Sequence, residues 1–231
     1  MASNIKIVMF SDVLSPSRAL LKQWCDELEP ADIERAQGMK SEQRLRQFVL
    51  GRKLLQQALA EFYNLPLSLQ LRAGGKPEAL GAAVSLSHSG GRVAVALAEE
   101  GNPLGIDIEV YKNRNFMRLA RHYFAPDEVA ALELLPELEQ RHCFFKFWVL
   151  KESLAKFTGS GLNSKLLRGA FVVRGNPAGP VSFYSRGGEW ALALTAHCEA
   201  QINCYKAVLE AGVITLRPQA RQFQRWLPPL L

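Results

Sequence analysis

The stretch EEGNPLGIDIEV, residues 99–110, joins a turn to a strand, and its reading decides how the chain divides. Gly101 and Pro103 stand two residues apart with no hydrophobic run around them, a composition that ends regular structure. Beyond them apolar and acidic residues alternate. A strand of period two puts Asp107 and Glu109 on one face and Ile106, Ile108 and Val110 on the other, with the carboxylates about 7 Å apart.

Working outward, the chain before the turn predicts a strand over about 5–10 and a helix from about Ser17. A longer helix follows over about Ser41–Asn64, where Leu45, Phe48, Val49, Leu55, Leu59 and Phe62 recur at helical spacing. Gly74 and Gly75 break that pattern, and strand-like runs occupy 67–72, 82–87, 92–98 and 104–110. After the turn come helical blocks over about 115–135 and 138–158, then strand signals at 170–174, 180–186, 190–195 and 203–209. Helices followed by strands thus occur twice. The expected fold is α+β, a pseudo-dimer of two similar α+β subdomains, 1–103 and 104–231, with the active site in the cleft between them.

Composition narrows the class. The 231 residues are 48% hydrophobic, enough for a sizeable core. There is no run of about 18 apolar residues, and the run from Ile5 to Phe10 is too short for a secretory segment, so a cytoplasmic protein without membrane contact is expected. Cys25, Cys143, Cys198 and Cys204 are scattered without metal-binding spacing, which predicts reduced thiols. Lys and Arg exceed Asp and Glu by 28 to 22, a net charge of +6, favouring an anionic partner.

Several groups carry candidate chemistry. Two neighbouring carboxylates on one strand face raise each other's pKa unless a cation lies between them, and magnesium is the cation that best suits oxygen ligands and phosphate. The same alternation also describes an amphipathic strand whose polar face meets solvent. In CFFKFWVLKESLAKFTGSGL, residues 143–162, Phe147, Leu150, Leu154 and Phe157 share one helix side. Trp148, Glu152 and Lys156 form a stripe on the other, flanked by Phe145 and Val149. Glu152 could complete a metal site and Lys156 hold a phosphate, or the two could be a surface i, i+4 ion pair. GGKPEAL at 74–80 offers Lys76, and SLSHSGG at 85–91 offers Ser87, His88 and Ser89 as an anion-binding turn. A protease triad is poorly supported there, since SHSGG lacks the GxSxG elbow. Arg44, Arg46 and Arg52 lie on the long helix, with Arg44 and Arg52 read as sharing a face.

Taken in order, GKP, SHS, GIDIE and WxxKExxxKxxGxGL form one pattern from about Arg44 to Leu162. It resembles the 4′-phosphopantetheinyl transferases, in particular the long, monomeric, pseudo-dimeric branch that activates carriers of surfactin-synthetase type. Before SHS the family often has Phe-Asn, where this chain has Val84-Ser85-Leu86. The resemblance implies transfer of the 4′-phosphopantetheine arm of coenzyme A to a serine of an apo acyl or peptidyl carrier protein, releasing adenosine 3′,5′-bisphosphate. By motif position Asp107, Glu109 and Glu152 look like magnesium ligands, and Glu152 and Lys156 like the catalytic pair. Lys76, Ser87, His88, Lys151 and Lys156 look like coenzyme A contacts, with an arginine among Arg44, Arg46 and Arg52 for the 3′-phosphate. A helix bearing Arg114, Phe116, Met117, Arg118 and Arg121 is a candidate carrier-docking surface. The alternatives are a magnesium-dependent nuclease or phosphohydrolase and a basic nucleic-acid-binding protein. No RNP, helix-turn-helix or zinc pattern supports the last, and no nucleic-acid partner is expected.

Overall fold

The strand RVAVALAE at 92–99 organises the interior, because both of its faces are apolar and they differ in size. A computed structural model of the chain describes residues 3–12, 15–66, 69–71, 77–113, 115–171, 179–197 and 200–228. Its elements are β1 (Ser3–Phe10), α1 (Arg18–Asp26), α2 (Pro30–Gln37), α3 (Glu42–Tyr63), β2 (Leu69–Leu71), β3 (Pro77–Ala79), β4 (Ala82–Ser89), β5 (Arg92–Glu99) and β6 (Leu104–Val110). The second half continues with α4 (Phe116–Tyr123), α5 (Pro126–Glu133), α6 (Glu137–Thr158), α7 (Ser164–Leu167), β7 (Val181–Arg186), β8 (Trp190–Ala196), β9 (Ala200–Glu210), β10 (Val213–Pro218) and β11 (Gln224–Trp226).

Two sheets form, one in the order β10-β9-β1-β5-β4-β3-β2 and one in the order β11-β7-β8-β6. Val93, Val95 and Leu97 of β5 point to α1–α3 and join a core with Trp24, Leu50, Leu54 and Leu55. Ala94, Ala96 and Ala98, on the other face, meet Ile106, Ile108, Leu192 and Leu194 of the second sheet. Small residues on one sheet therefore receive large ones from the other, which is how facing sheets interdigitate. The outer face of the second sheet, through Ala191 and Ala193, takes the aromatic side of α6 with Phe144, Phe145 and Phe147. Each such ring removed from water contributes about 1.5–3 kcal/mol. The layers are helices, sheet, sheet, helices, and the class is α+β as expected.

Two features go beyond the order of elements read from the sequence. β9 pairs with β1 in parallel, Ile5 opposite Ile202, and β10 follows it. The first sheet therefore draws strands from both sides of the 103/104 boundary. An unpaired edge on β1 would leave a row of open backbone groups, and strands from the chain's end close it. The helical block over 115–135 is two helices, because Pro126 begins α5 and the Ala125 N–H goes to the Glu128 carboxylate at 3.1 Å. Residues 172–174 of the strand expected over 170–174 lie outside the described residues.

Among the described residues Cys25, Cys143 and Cys204 are free thiols, while Cys198 lies outside them. Among the described residues no helix is long and apolar enough to cross a membrane.

Candidate active site

β6 is the terminal strand of its sheet, with β8 on one side and β4 approaching on the other. Its face toward α6 carries Gly105 before Asp107 and Glu109, and the glycine is required there. A Cβ at Gly105 would lie 2.1 Å from the Ser153 carbonyl oxygen and 2.4 Å from the Phe157 nitrogen. With no side chain in the way, the last turns of α6 rest on the strand backbone. Lys156 Nζ then donates to the Ile106 carbonyl at 3.0 Å and to Asp107 Oδ1 at 2.9 Å. Gly159, at φ 70°, ends the helix in the left-handed conformation that glycine adopts without penalty.

Glu152 sits one turn before Lys156 and is half-buried. Burial, followed by repulsion from Asp107 and with a further contribution from Glu109, pushes its carboxyl up to about 7, although Lys156 opposes the rise. Three carboxylates from β6 and α6 thus share one electrostatic neighbourhood. Asp107 is 5% exposed, and its Oδ2 is a buried oxygen without a hydrogen-bond partner among the described residues.

The donor chemistry suits a hard divalent cation, which takes oxygen ligands and relieves carboxylate repulsion. Among the described residues no three acidic, histidine or cysteine side chains are gathered tightly enough to hold a metal as they stand. The fit therefore rests on the orphaned Oδ2 and on the mutual repulsion of the acids.

β4 supplies the opposite wall. Ser87 Oγ donates to Asp107 Oδ1 at 2.7 Å, and Ser89 Oγ donates to Glu109 Oε2 at 2.5 Å. His88 lies between them on the other strand face and is exposed at the rim. Partial desolvation, then the nearby Lys156 and Arg44 charges, hold its pKa below the ordinary value, with Asp107 opposing. Arg44 is exposed in the first turn of α3. That turn is capped by Ser41 and tied to the β4–β5 turn through Gln43 and Gln47, whose amides donate to the Gly90 carbonyl at 3.2 and 2.6 Å.

Other expected site residues fall elsewhere. Arg52 is buried and bonds Asp32 through two nitrogens at 2.7 and 3.1 Å, with its guanidinium over the Phe48 ring. Positions eight apart on a helix differ by about 80°, so Arg52 turns inward where Arg44 does not. Arg46 is also buried, donating to Glu42 and to the Pro16 carbonyl. Lys151 is wholly enclosed: Nζ meets Glu128 at 2.8 Å and the Gly169 carbonyl at 2.7 Å, between the Phe124 and Phe171 rings. Burial lowers its pKa despite the Glu128 charge. Arg52 and Lys151 are thus corrected from ligand contacts to internal ties, because each has its charge partner inside the fold. Lys76 and Arg114 lie outside the described residues. On α4 Arg118 is exposed, Arg121 pairs with Glu133 at 2.8 Å, and Phe116 and Met117 pack against the α6 aromatics.

Sequence reasoning missed Ser85, whose Oγ accepts the Ile106 N–H at 3.0 Å, and Lys112, 3.5 Å from Glu109 Oε2. The alternation of serines at 85, 87 and 89 was the available signal for the first.

The 4′-phosphopantetheinyl transferase superfamily (ACPS) matches residues 103–206, which include β6 and α6. The 4′-phosphopantetheinyl transferase psf-1 of Bacillus pumilus is 30% identical over 186 residues, 77% of this chain and 74% of that protein. The 4′-phosphopantetheinyl transferase Sfp of Bacillus subtilis (strain 168) is 29% identical over 161 residues, 67% of this chain and 70% of that protein. The chain spans slightly less than two thirds of slr0495 of Synechocystis sp., at 29% identity over 64% of each protein. With the match to psf-1 covering most of both proteins, the chain belongs to the 4′-phosphopantetheinyl transferase family.

Proposed function

We propose that the protein transfers the 4′-phosphopantetheine arm of coenzyme A to a serine hydroxyl of an apo carrier protein, releasing adenosine 3′,5′-bisphosphate. The observation that carries this reading is the convergence of Asp107, Glu152 and Lys156 between β6 and α6, with Ser87 on the facing strand and His88 and Arg44 along the rim.

The reaction is attack of an alcohol on a phosphorus of a diphosphate, so the barrier is one of positioning and of charge gathering on phosphate oxygens. Asp107, Glu109 and Glu152 would hold a magnesium ion, which when bound neutralises that charge. Lys156, anchored on the Ile106 carbonyl, presents an ammonium to the reacting phosphate and donates to the departing oxygen. Glu152 stands beside it as the group that takes the proton of the attacking serine. Arg44 and His88 receive the 3′-phosphate from the α3 side.

The same reading takes the protein as a monomer whose two halves form a pseudo-dimer around a cleft, since helices followed by strands occur twice along the chain. A cytoplasmic reaction on a fatty-acid, polyketide or nonribosomal-peptide carrier is the setting that this reading takes for it. The excess of basic residues suits both partners. Phe116, Met117 and Arg118 on α4 follow the acid-bearing strand and offer a docking face to an acidic carrier.

The test is to incubate the protein with coenzyme A, magnesium and several apo-carriers and to weigh the carriers by mass spectrometry. A gain of one phosphopantetheine is expected. No gain on any carrier would overturn the reading, and cleavage of DNA or RNA would favour a magnesium-dependent nuclease.

A further inference from the structure

Three serines of β4, at 85, 87 and 89, alternate along the strand and so face one way, toward the edge of β6. All three are buried, at 4%, 6% and 4% exposure. As the terminal strand among the described residues, β6 has outward N–H groups with no ladder partner there, and such groups are costly if left unpaired. Ser85 accepts the Ile106 N–H at 3.0 Å and Ser89 accepts the Val110 N–H at 3.1 Å.

A hydroxyl has one proton and two acceptor sites. Once Ser89 Oγ has accepted from Val110, its proton remains, and Glu109 Oε2 lies where that proton is donated. Lys112 approaches the same carboxylate oxygen. Ser87 and Lys156 likewise both engage Asp107 Oδ1, leaving Oδ2 bare. Among the described residues Ser85 Oγ reaches only backbone.

We infer that Ser89 is a positioning residue that locks the Glu109 carboxylate in a cation-binding orientation, a role separate from its capping of the β6 edge. This rests on the magnesium reading above. Partners that hold metal-ligating carboxylates change metal affinity by about 10–100-fold when removed. Ser85 provides an internal control, because it caps the same edge without touching a carboxylate.

The full chain is titrated with Mn2+ in the presence of coenzyme A, reading the bound metal by electron paramagnetic resonance, alongside thermal unfolding. Ser89→Ala should weaken Mn2+ binding about tenfold or more. Ser85→Ala should lower the unfolding temperature similarly while leaving Mn2+ affinity within about twofold, and Ser89→Thr, which keeps the hydroxyl, should restore binding. If Ser89→Ala and Ser85→Ala lose the same stability and neither changes Mn2+ affinity, Ser89 only caps the strand and the inference fails. Wild-type protein that binds no Mn2+ would overturn the metal reading and the inference together.

Discussion

Lys151 gives the sharpest test of the difference between a charge that serves the fold and one that serves a ligand. Replacing it with methionine keeps the length of the stem and removes the ammonium. Glu128, 3% exposed, then loses its ion pair at 2.8 Å, and the Gly169 carbonyl loses its donor at 2.7 Å. Breaking a buried pair from one side costs about 3–5 kcal/mol. Glu128 keeps the Ala125 and Phe171 N–H groups at 3.1 and 3.2 Å, which argues for the lower end of that range. For a chain of this size each kcal/mol is worth about 2–4 °C, so the unfolding temperature should fall by about 6–12 °C. Combining Lys151→Met with Glu128→Gln removes the stranded charge and should recover most of the loss. Calorimetric coenzyme A affinity should stay within about twofold in both variants. An unchanged unfolding temperature with a large loss of coenzyme A affinity would refute the reasoning and return Lys151 to the ligand.

In metal-free protein Glu152→Gln should raise stability at pH 8, and with magnesium restored the variant should transfer no phosphopantetheine. The carboxyl's folded pKa, about 7, lies above its unfolded value, so stability present at low pH is lost as pH rises through that window. The gain, on the order of 2 kcal/mol after allowance for solvent, should vanish near pH 4, and equal stability of both proteins at pH 8 would oppose it. Arg44→Ala should raise the KM for coenzyme A about tenfold with kcat and unfolding temperature little changed, since the side chain is exposed. Arg52→Ala should do the reverse, destabilising the fold with coenzyme A binding intact, because it strands Asp32. Gly105→Ala should push α6 off β6, costing about 1–3 kcal/mol and most of the activity, measured by urea unfolding and carrier mass.

Period and punctuation made most elements legible. Alternation in GIDIEV marked both the strand and its acidic face, and helical spacing marked α3 and α6 almost to their ends. Pro126 marks the break between α4 and α5, which hydrophobic periodicity over 115–135 does not show. The pairing of β9 with β1 was not legible, because their parallel register joins residues about 200 positions apart and leaves no local trace.

By itself, then, the sequence determined which residues are apolar on which face, where the helices stop, and that acids, hydroxyls and lysines recur in a family order. Those properties follow from neighbours within a turn or a strand. The tertiary structure decided which charges are available. Arg44 and Arg52 are alike as letters, yet Asp32 arrives from α2 to claim Arg52, and Glu128 arrives from α5 to enclose Lys151 while Lys156 meets Asp107 of β6. A charge's environment is set by whatever packs against it from a distance, and only the folded chain brings that neighbour into place.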